Sequence, residues 1–139
     1  MAFTSKLRVR FADIDWARVV YFARFFDFAH RTFEDFFNDH AKVTYAEVLS
    51  VRKLGFPIVN STAEFFAPLR LGDIARVEME VLKLSKRSVT SRFTLYRDSN
   101  GERCAVIVLK QAAIDTSTFT GCELPDDLHA LLAAQLVAA

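Results

Sequence analysis

Residues 19–38, VVYFARFFDFAHRTFEDFFN, decide the fold. Phe22, Phe25, Phe26, Phe33, Phe36 and Phe37 fall near i, i+3, i+4, with Ala29 filling the gap. Arg24, Asp27, Arg31, Glu34, Asp35 and Asn38 occupy much of the other side. That period predicts an amphipathic helix of about five turns with an aromatic buried face. A helix this aromatic needs a sheet around it.

The flanking sequence supplies the strands. Upstream, LRVRF (residues 7–11) alternates apolar with basic and predicts a half-exposed strand. Downstream, residues 44–54 predict a shorter helix ended by Gly55 and Pro57. IVNSTAEFF then leads to a break at Pro68 and an LGD turn at residues 71–73. IARVEMEVLKL (residues 74–84) alternates, with Val77, Met79 and Val81 on one face and Arg76, Glu78 and Glu80 on the other. SVTSRFTLY follows, then a hairpin loop containing Asn100-Gly101. CAVIVLKQAAI is almost continuously apolar, as expected of a central strand covered on both faces. A terminal helix is predicted over residues 126–137. An antiparallel sheet that buries one face on the helix leaves the other exposed unless something covers it. The apolar last strand therefore predicts a homo-oligomer built on a dimer.

At 139 residues the chain fits a single domain over residues 1–139. Half its residues are hydrophobic and a quarter charged, enough to bury a core. A net charge of +1 gives no electrostatic reason for nucleic acid or an anionic membrane as the main partner. Cys104 and Cys122 show neither metal-ligand spacing nor a disulfide framework. The N-terminus lacks an apolar signal region, and no apolar run reaches membrane length, so a cytoplasmic location is expected.

Asp13 and Asp15 stand just before the helix, and spacing alone leaves two readings open. Aspartate is a preferred helix cap, worth about 1 kcal/mol. A carboxylate near the unpaired N–H groups of a helix start is also placed for acyl chemistry. Those amides stabilise negative charge developing on a carbonyl oxygen. Glu64 and His30 are read as surface residues. Ser88, Thr90 and Ser91 lack a His-Asp partner order for a serine hydrolase.

The stretches VRFADIDWARVVYFARFFDF, GFPIVNSTAEFFAPLRLGD and LSKRSVTSRFTLYR together resemble the 4-hydroxybenzoyl-CoA thioesterase family of hotdog-fold proteins. The resemblance covers about residues 7–116. It rests on the order of the D-x-D step, the Val-Tyr-aromatic segment, the AP-x-x-x-GD turn and the basic pair before Ser88. It implies an α+β fold, an antiparallel sheet wrapped around a long central helix, and a dimer with a continuous sheet, often paired into a homotetramer. It also implies hydrolysis of an acyl-CoA thioester at a site shared between subunits, with no metal and no organic cofactor. The catalytic carboxylate of that family falls on Asp15, and the helix-start amide that polarises the thioester falls on Phe22. Lys86 and Arg87, with Ser88 beside them, match positions that bind CoA phosphates. Tyr21, Phe22 and Phe56 would form an aromatic acyl pocket, for an aromatic or medium-chain acyl group. Two departures are visible: Trp16-Ala17-Arg18 replaces a segment that commonly contains glycine, and Phe22 replaces a tyrosine or histidine. The rival expectations are a non-catalytic hotdog that binds acyl-CoA or acyl carrier protein, and a hotdog dehydratase.

Overall fold

The computed structural model describes residues 2–137. Strand β1 spans Phe3–Arg8, and a 3-10 turn follows at Phe11–Asp13. Helix α1 spans Phe22–Asp35 and runs on through a π turn, Phe36–Ala41. Helix α2 is Tyr45–Ser50, followed by β2 (Leu54–Gly55), β3 (Ile58–Phe65) and β4 (Ile74–Leu84). Then come β5 (Ser88–Arg97), β6 (Arg103–Ala112), β7 (Ile114–Asp115), β8 (Thr120–Gly121) and helix α3 (Asp126–Ala133). The main sheet is antiparallel in the order β1-β4-β5-β6-β3, and α1 lies across its inner face; this is the expected α+β hotdog arrangement.

The core forms because α1 presents aromatic rings to alternating strand residues. Phe25, Phe28, Ala29, Phe33, Phe36 and Phe37 are buried against Val77, Met79 and Val81 of β4, Phe93 and Leu95 of β5, and Ile107 and Leu109 of β6. Removing one such ring typically costs about 3–5 kcal/mol. The buried face differs from the sequence expectation at one end. Phe22 is 58% exposed, whereas Phe28, which the period left out, is fully buried.

Several boundaries also differ. The first strand is Phe3–Arg8 rather than residues 7–11, because Asp13 takes the Arg10 N–H (2.9 Å) and curls the chain into a turn. Helix α1 starts at Phe22 rather than Val19, because Val20 N–H donates to Leu69 O (2.8 Å) and Val19 bridges to Arg70. Helix α2 ends at Ser50, since Leu54 and Gly55 pair with β7. Helix α3 ends at Ala133, and Leu136 bridges instead to Val81 of β4. The apolar strand β6 is next to the edge, and β5 is central. The outer face of β6 is not covered on the single chain: Val106 and Val108 are half-buried and Lys110 is exposed. Strand β3 pairs only with β6, so its other edge is open, and Ile58, Val59 and Phe65 are exposed along it. Among the described residues no helix is long and apolar enough to cross a membrane.

Candidate active site

The approach to α1 is a small ribbon. Ile14 pairs with Val20, and Asp15 N–H donates to Val19 O (3.0 Å) across it. Arg18 N–H closes the turn on Asp15 O (2.9 Å). Arg18 has φ 66, the left-handed conformation that favours glycine. The departure at Trp16-Ala17-Arg18 thus keeps the backbone shape that a glycine would adopt, with Trp16 almost fully exposed at the tip.

The two aspartates have separate roles. Asp13 is buried; its carboxylate accepts from Arg10 N–H, and its carbonyl accepts from Tyr21 N–H (3.0 Å). It holds the ribbon to the helix entrance. Asp15 is half-buried, and its Oδ1 accepts from Ala17 N–H (2.9 Å). Among the described residues its carboxylate is in no ion pair. Neither aspartate caps α1. The cap position is Tyr21, extended in backbone, and no side chain accepts a bond from the first turn. Arg24 N–H donates to Tyr21 O (2.8 Å), while the amides of Phe22 and Ala23 have no acceptor among the described residues. Two helix-start donors are therefore unspent, at the positive end of the helix dipole.

A hollow of about 330 Å³ opens beside those amides, lined by Val19, Phe22, Phe25, Phe65, Phe66 and Pro68. Tyr21 leans on Phe22 with ring centroids 4.8 Å apart, and Phe25 meets Phe65 edge-on at 5.2 Å. Asp15 stands opposite Val19 on the ribbon but does not itself line the hollow in the single chain. Phe25, Phe65 and Phe66 were missed as pocket residues. The signal available for them was an aromatic pair placed directly before the Ala67-Pro68 break.

The other expected site residues lie apart. Phe56 is in the core between Phe33 and Phe37, with centroids 5.3 and 5.8 Å away, so it cannot line an acyl pocket. Lys86 and Arg87 form the exposed tip of the β4–β5 hairpin. Lys86 borders a cleft of about 220 Å³ that it shares with Glu123 and Asp126, which already oppose its charge. Ser88 lines a different hollow, about 760 Å³, on the outer face of the sheet. Glu64 is exposed on that outer face, and His30 lies 3.3 Å from Glu34 on the half-exposed side of α1. Burial pushes the thiols of Cys104 and Cys122 above their usual pKa, which suits neither to attack a carbonyl at neutral pH. Among the described residues no three His, Cys, Asp or Glu side chains converge as metal ligands do.

Comparisons with known proteins give the family and the fold. Residues 9–132 match the family described as the thioesterase-like superfamily. A 1,4-dihydroxy-2-naphthoyl-CoA hydrolase of Thermosynechococcus vestitus is 32% identical over 124 residues, covering 89% of this chain and 84% of the relative. The corresponding hydrolase of Prochlorococcus marinus is 27% identical, covering 89% and 83%. The crystal structure of a 1,4-dihydroxy-2-naphthoyl-CoA thioesterase from Synechocystis superposes with a TM-score of 0.86 at 22% identity, covering 96% of each chain.

Proposed function

The chain belongs to the thioesterase-like superfamily and is an acyl-CoA thioester hydrolase, and from that premise we propose that it cleaves an aromatic acyl-CoA with Asp15 as its catalytic carboxylate. The observation that carries this is the pair of unspent amides at Phe22 and Ala23, opening beside an aromatic hollow directly after the Asp15 ribbon. A thioester whose acyl ring enters the hollow would direct its carbonyl oxygen toward those N–H groups. The oxygen gains charge as the tetrahedral adduct forms, and one aimed donor is worth about 3–4 kcal/mol at that point. Phe22 acts through its backbone; its ring forms part of the wall, and Tyr21 packs against that ring without lining the hollow.

Asp15 serves in one of two balanced routes. Its carboxylate attacks the carbonyl carbon and expels CoA thiolate, and water then hydrolyses the mixed anhydride. Alternatively it removes a proton from water as the water attacks, and the same thiolate leaves. Either route needs the carboxylate ionised, and with no ion-pair partner among the described residues it is free to react.

The naphthoyl substrate named for the relatives favours an aromatic acyl group. The lining supports this, because Phe22, Phe25, Phe65 and Phe66 offer ring edges and faces. An aromatic contact adds about 0.5–1.5 kcal/mol beyond burial. The open edge of β3 supports a dimer in which two copies pair along that strand into a continuous sheet, since a long exposed apolar edge is otherwise an aggregation hazard. Phe65 and Phe66 end that strand, so a partner docked there would close the hollow. Thiol release from a panel of CoA esters tests the reading. Benzoyl- or naphthoyl-CoA is expected to exceed hexanoyl-CoA in kcat/KM by roughly tenfold, the equivalent of one to two ring contacts. No release from any ester would refute it.

A further inference from the structure

The acyl hollow is chemically uniform to a degree that aromatic recognition alone does not require. Among the described residues, every side chain that lines it is a valine, a phenylalanine, an alanine or a proline. None of these carries a hydroxyl, an amide or a charge. The polar side chains around it are committed elsewhere. Tyr21 packs on the Phe22 ring without lining the hollow, and the Arg97 guanidinium is divided among Asp73, Glu102 and the Pro68 carbonyl.

The backbone of the lining is spent as well. Val20 N–H donates to Leu69 O (2.8 Å), and the Phe66 and Ala67 N–H groups both donate to Cys104 O (2.8 and 3.2 Å). The Val19 carbonyl accepts from Asp15 N–H. Pro68 has no N–H, and its carbonyl already accepts from Arg97. Phe65 stands on the open edge of β3, where its backbone groups would pair with the partner strand in the dimer proposed above. The free donors at the entrance are the Phe22 and Ala23 amides, and the thioester carbonyl takes those.

A carbonyl held at the helix start leaves the far edge of an acyl ring facing Val20 and Phe25, both almost fully buried. An apolar cavity of about 150 Å³ stays dry and binds benzene. This hollow, at about 330 Å³, has room for one ring or two fused ones. A ring hydroxyl carried to that floor gives up its water and gains no partner. A methyl group of similar size gives up nothing and adds apolar burial.

We propose that the hollow selects aryl groups without free ring hydroxyls, so that the substrate class is an apolar aroyl-CoA, bare or alkyl-substituted. This rests on the hydrolase reading above and narrows it. The substrate named for the relatives, a dihydroxynaphthoyl thioester, falls outside that class. Of its two hydroxyls, the one ortho to the carbonyl can bond within the molecule, and the other would enter the hollow unpaired.

The test pairs hydroxylated esters with methyl isosteres: 4-hydroxybenzoyl-CoA with 4-methylbenzoyl-CoA, and 3,5-dihydroxybenzoyl-CoA with 3,5-dimethylbenzoyl-CoA. The second pair is symmetric, so turning the ring over does not return its hydroxyls to the entrance. Meta hydroxyls also withdraw electrons slightly, so intrinsic reactivity does not favour the methyl ester there. Each methyl ester is expected to exceed its partner in kcat/KM by about 10–100-fold, the range for an apolar site that must bury an extra hydroxyl. In the second pair the gap is expected in KM, with kcat nearly equal. Calorimetry with 4-methylphenacyl-CoA and 4-hydroxyphenacyl-CoA, ketones that cannot be hydrolysed, reads the same preference as affinity. Val19→Thr and Ala67→Ser each add a hydroxyl to the lining, and at least one is expected to narrow the gap about threefold or more. Hydroxylated esters turned over within about threefold of their methyl partners would overturn the proposal and leave the hydrolase reading standing. A gap that neither variant narrows would overturn its assignment to this lining. If no ester is hydrolysed but the methyl ketone binds at least about tenfold tighter, the selectivity stands and the hydrolase reading fails.

Discussion

Arg97 ties the Pro68 segment, which lines the acyl hollow, to the turns carrying Asp73 and Glu102, and removing it should loosen them by a calculable amount. Its side chain is only 11% exposed. Nε lies 3.3 Å from an Asp73 carboxylate oxygen, while the two terminal nitrogens donate to Glu102 and to the Pro68 carbonyl. These partners hold the guanidinium protonated more firmly than usual, the Glu102 hydrogen bond most of all. In Arg97→Ala the Pro68 carbonyl loses its donor, at about 1–3 kcal/mol, and Asp73 loses a charge-assisted bond worth about 1.5 kcal/mol. Asp73 still accepts from Arg70 N–H (2.9 Å), which limits its loss. Glu102 is half exposed and returns to water, so its pair adds no more than about 1 kcal/mol. The expected destabilisation is about 3 kcal/mol. An unfolding entropy of about 2.1 cal/mol/K per residue gives roughly 0.3 kcal/mol/K for this chain, so Tm should fall by about 10 °C. Arg97→Lys keeps the charge but not the planar fork and should fall about half as far. Thermal unfolding followed by circular dichroism, at one protein concentration, reads both. A fall below about 3 °C for Arg97→Ala would show that the three contacts do not act as a knot.

Burial, with Glu34 nearby, pushes the Tyr45 phenol up to about 12. Its folded value lies above the unfolded one near 10, so its contribution is intact below about pH 10 and is lost as pH rises toward 12. Absorbance titration at 295 nm should show one of the three tyrosines ionising about two pH units late, and normal ionisation of all three would contradict the burial. At Arg18, φ 66 strains any side chain, and β-branched ones most. Arg18→Gly relieves about 1 kcal/mol of strain and adds roughly 0.4–1 kcal/mol of unfolded-chain entropy, so its stability should stay near wild type. Arg18→Val should lose more than about 1 kcal/mol in urea unfolding; equal stability of the two would argue against the turn.

Strict alternation made some of this molecule legible beforehand. IARVEMEVLKL is β4 from end to end, and the Phe spacing located the central helix. Helix entry was misplaced because Val19 and Val20 satisfy both an apolar helix pattern and a strand bridge, and backbone partners at Leu69 and Arg70 decide for the bridge. Phe28 lies three residues after Phe25 and four before Thr32, on the face that meets the sheet, while Phe22, the first residue of the helix, opens onto the hollow instead. Asp15 could be singled out in sequence, but its freedom from capping could not. That depends on Tyr21 occupying the cap and Asp13 bonding Arg10. Phe56 was expected to share an aromatic acyl pocket with Tyr21 and Phe22, whereas packing against Phe33 and Phe37 decides its place.

The most direct measurement is the turnover of Asp15→Asn alongside its CoA-ester affinity. The amide keeps an oxygen to accept from Ala17 N–H, so the ribbon should persist while the negative charge is lost. We expect kcat for the best aromatic ester to fall by about 10²–10⁴-fold, the range for removing a positioned base, with ester affinity within about twofold of wild type. A variant that retained kcat within about threefold would contradict the assignment, because a carboxylate that does chemistry cannot be replaced so cheaply.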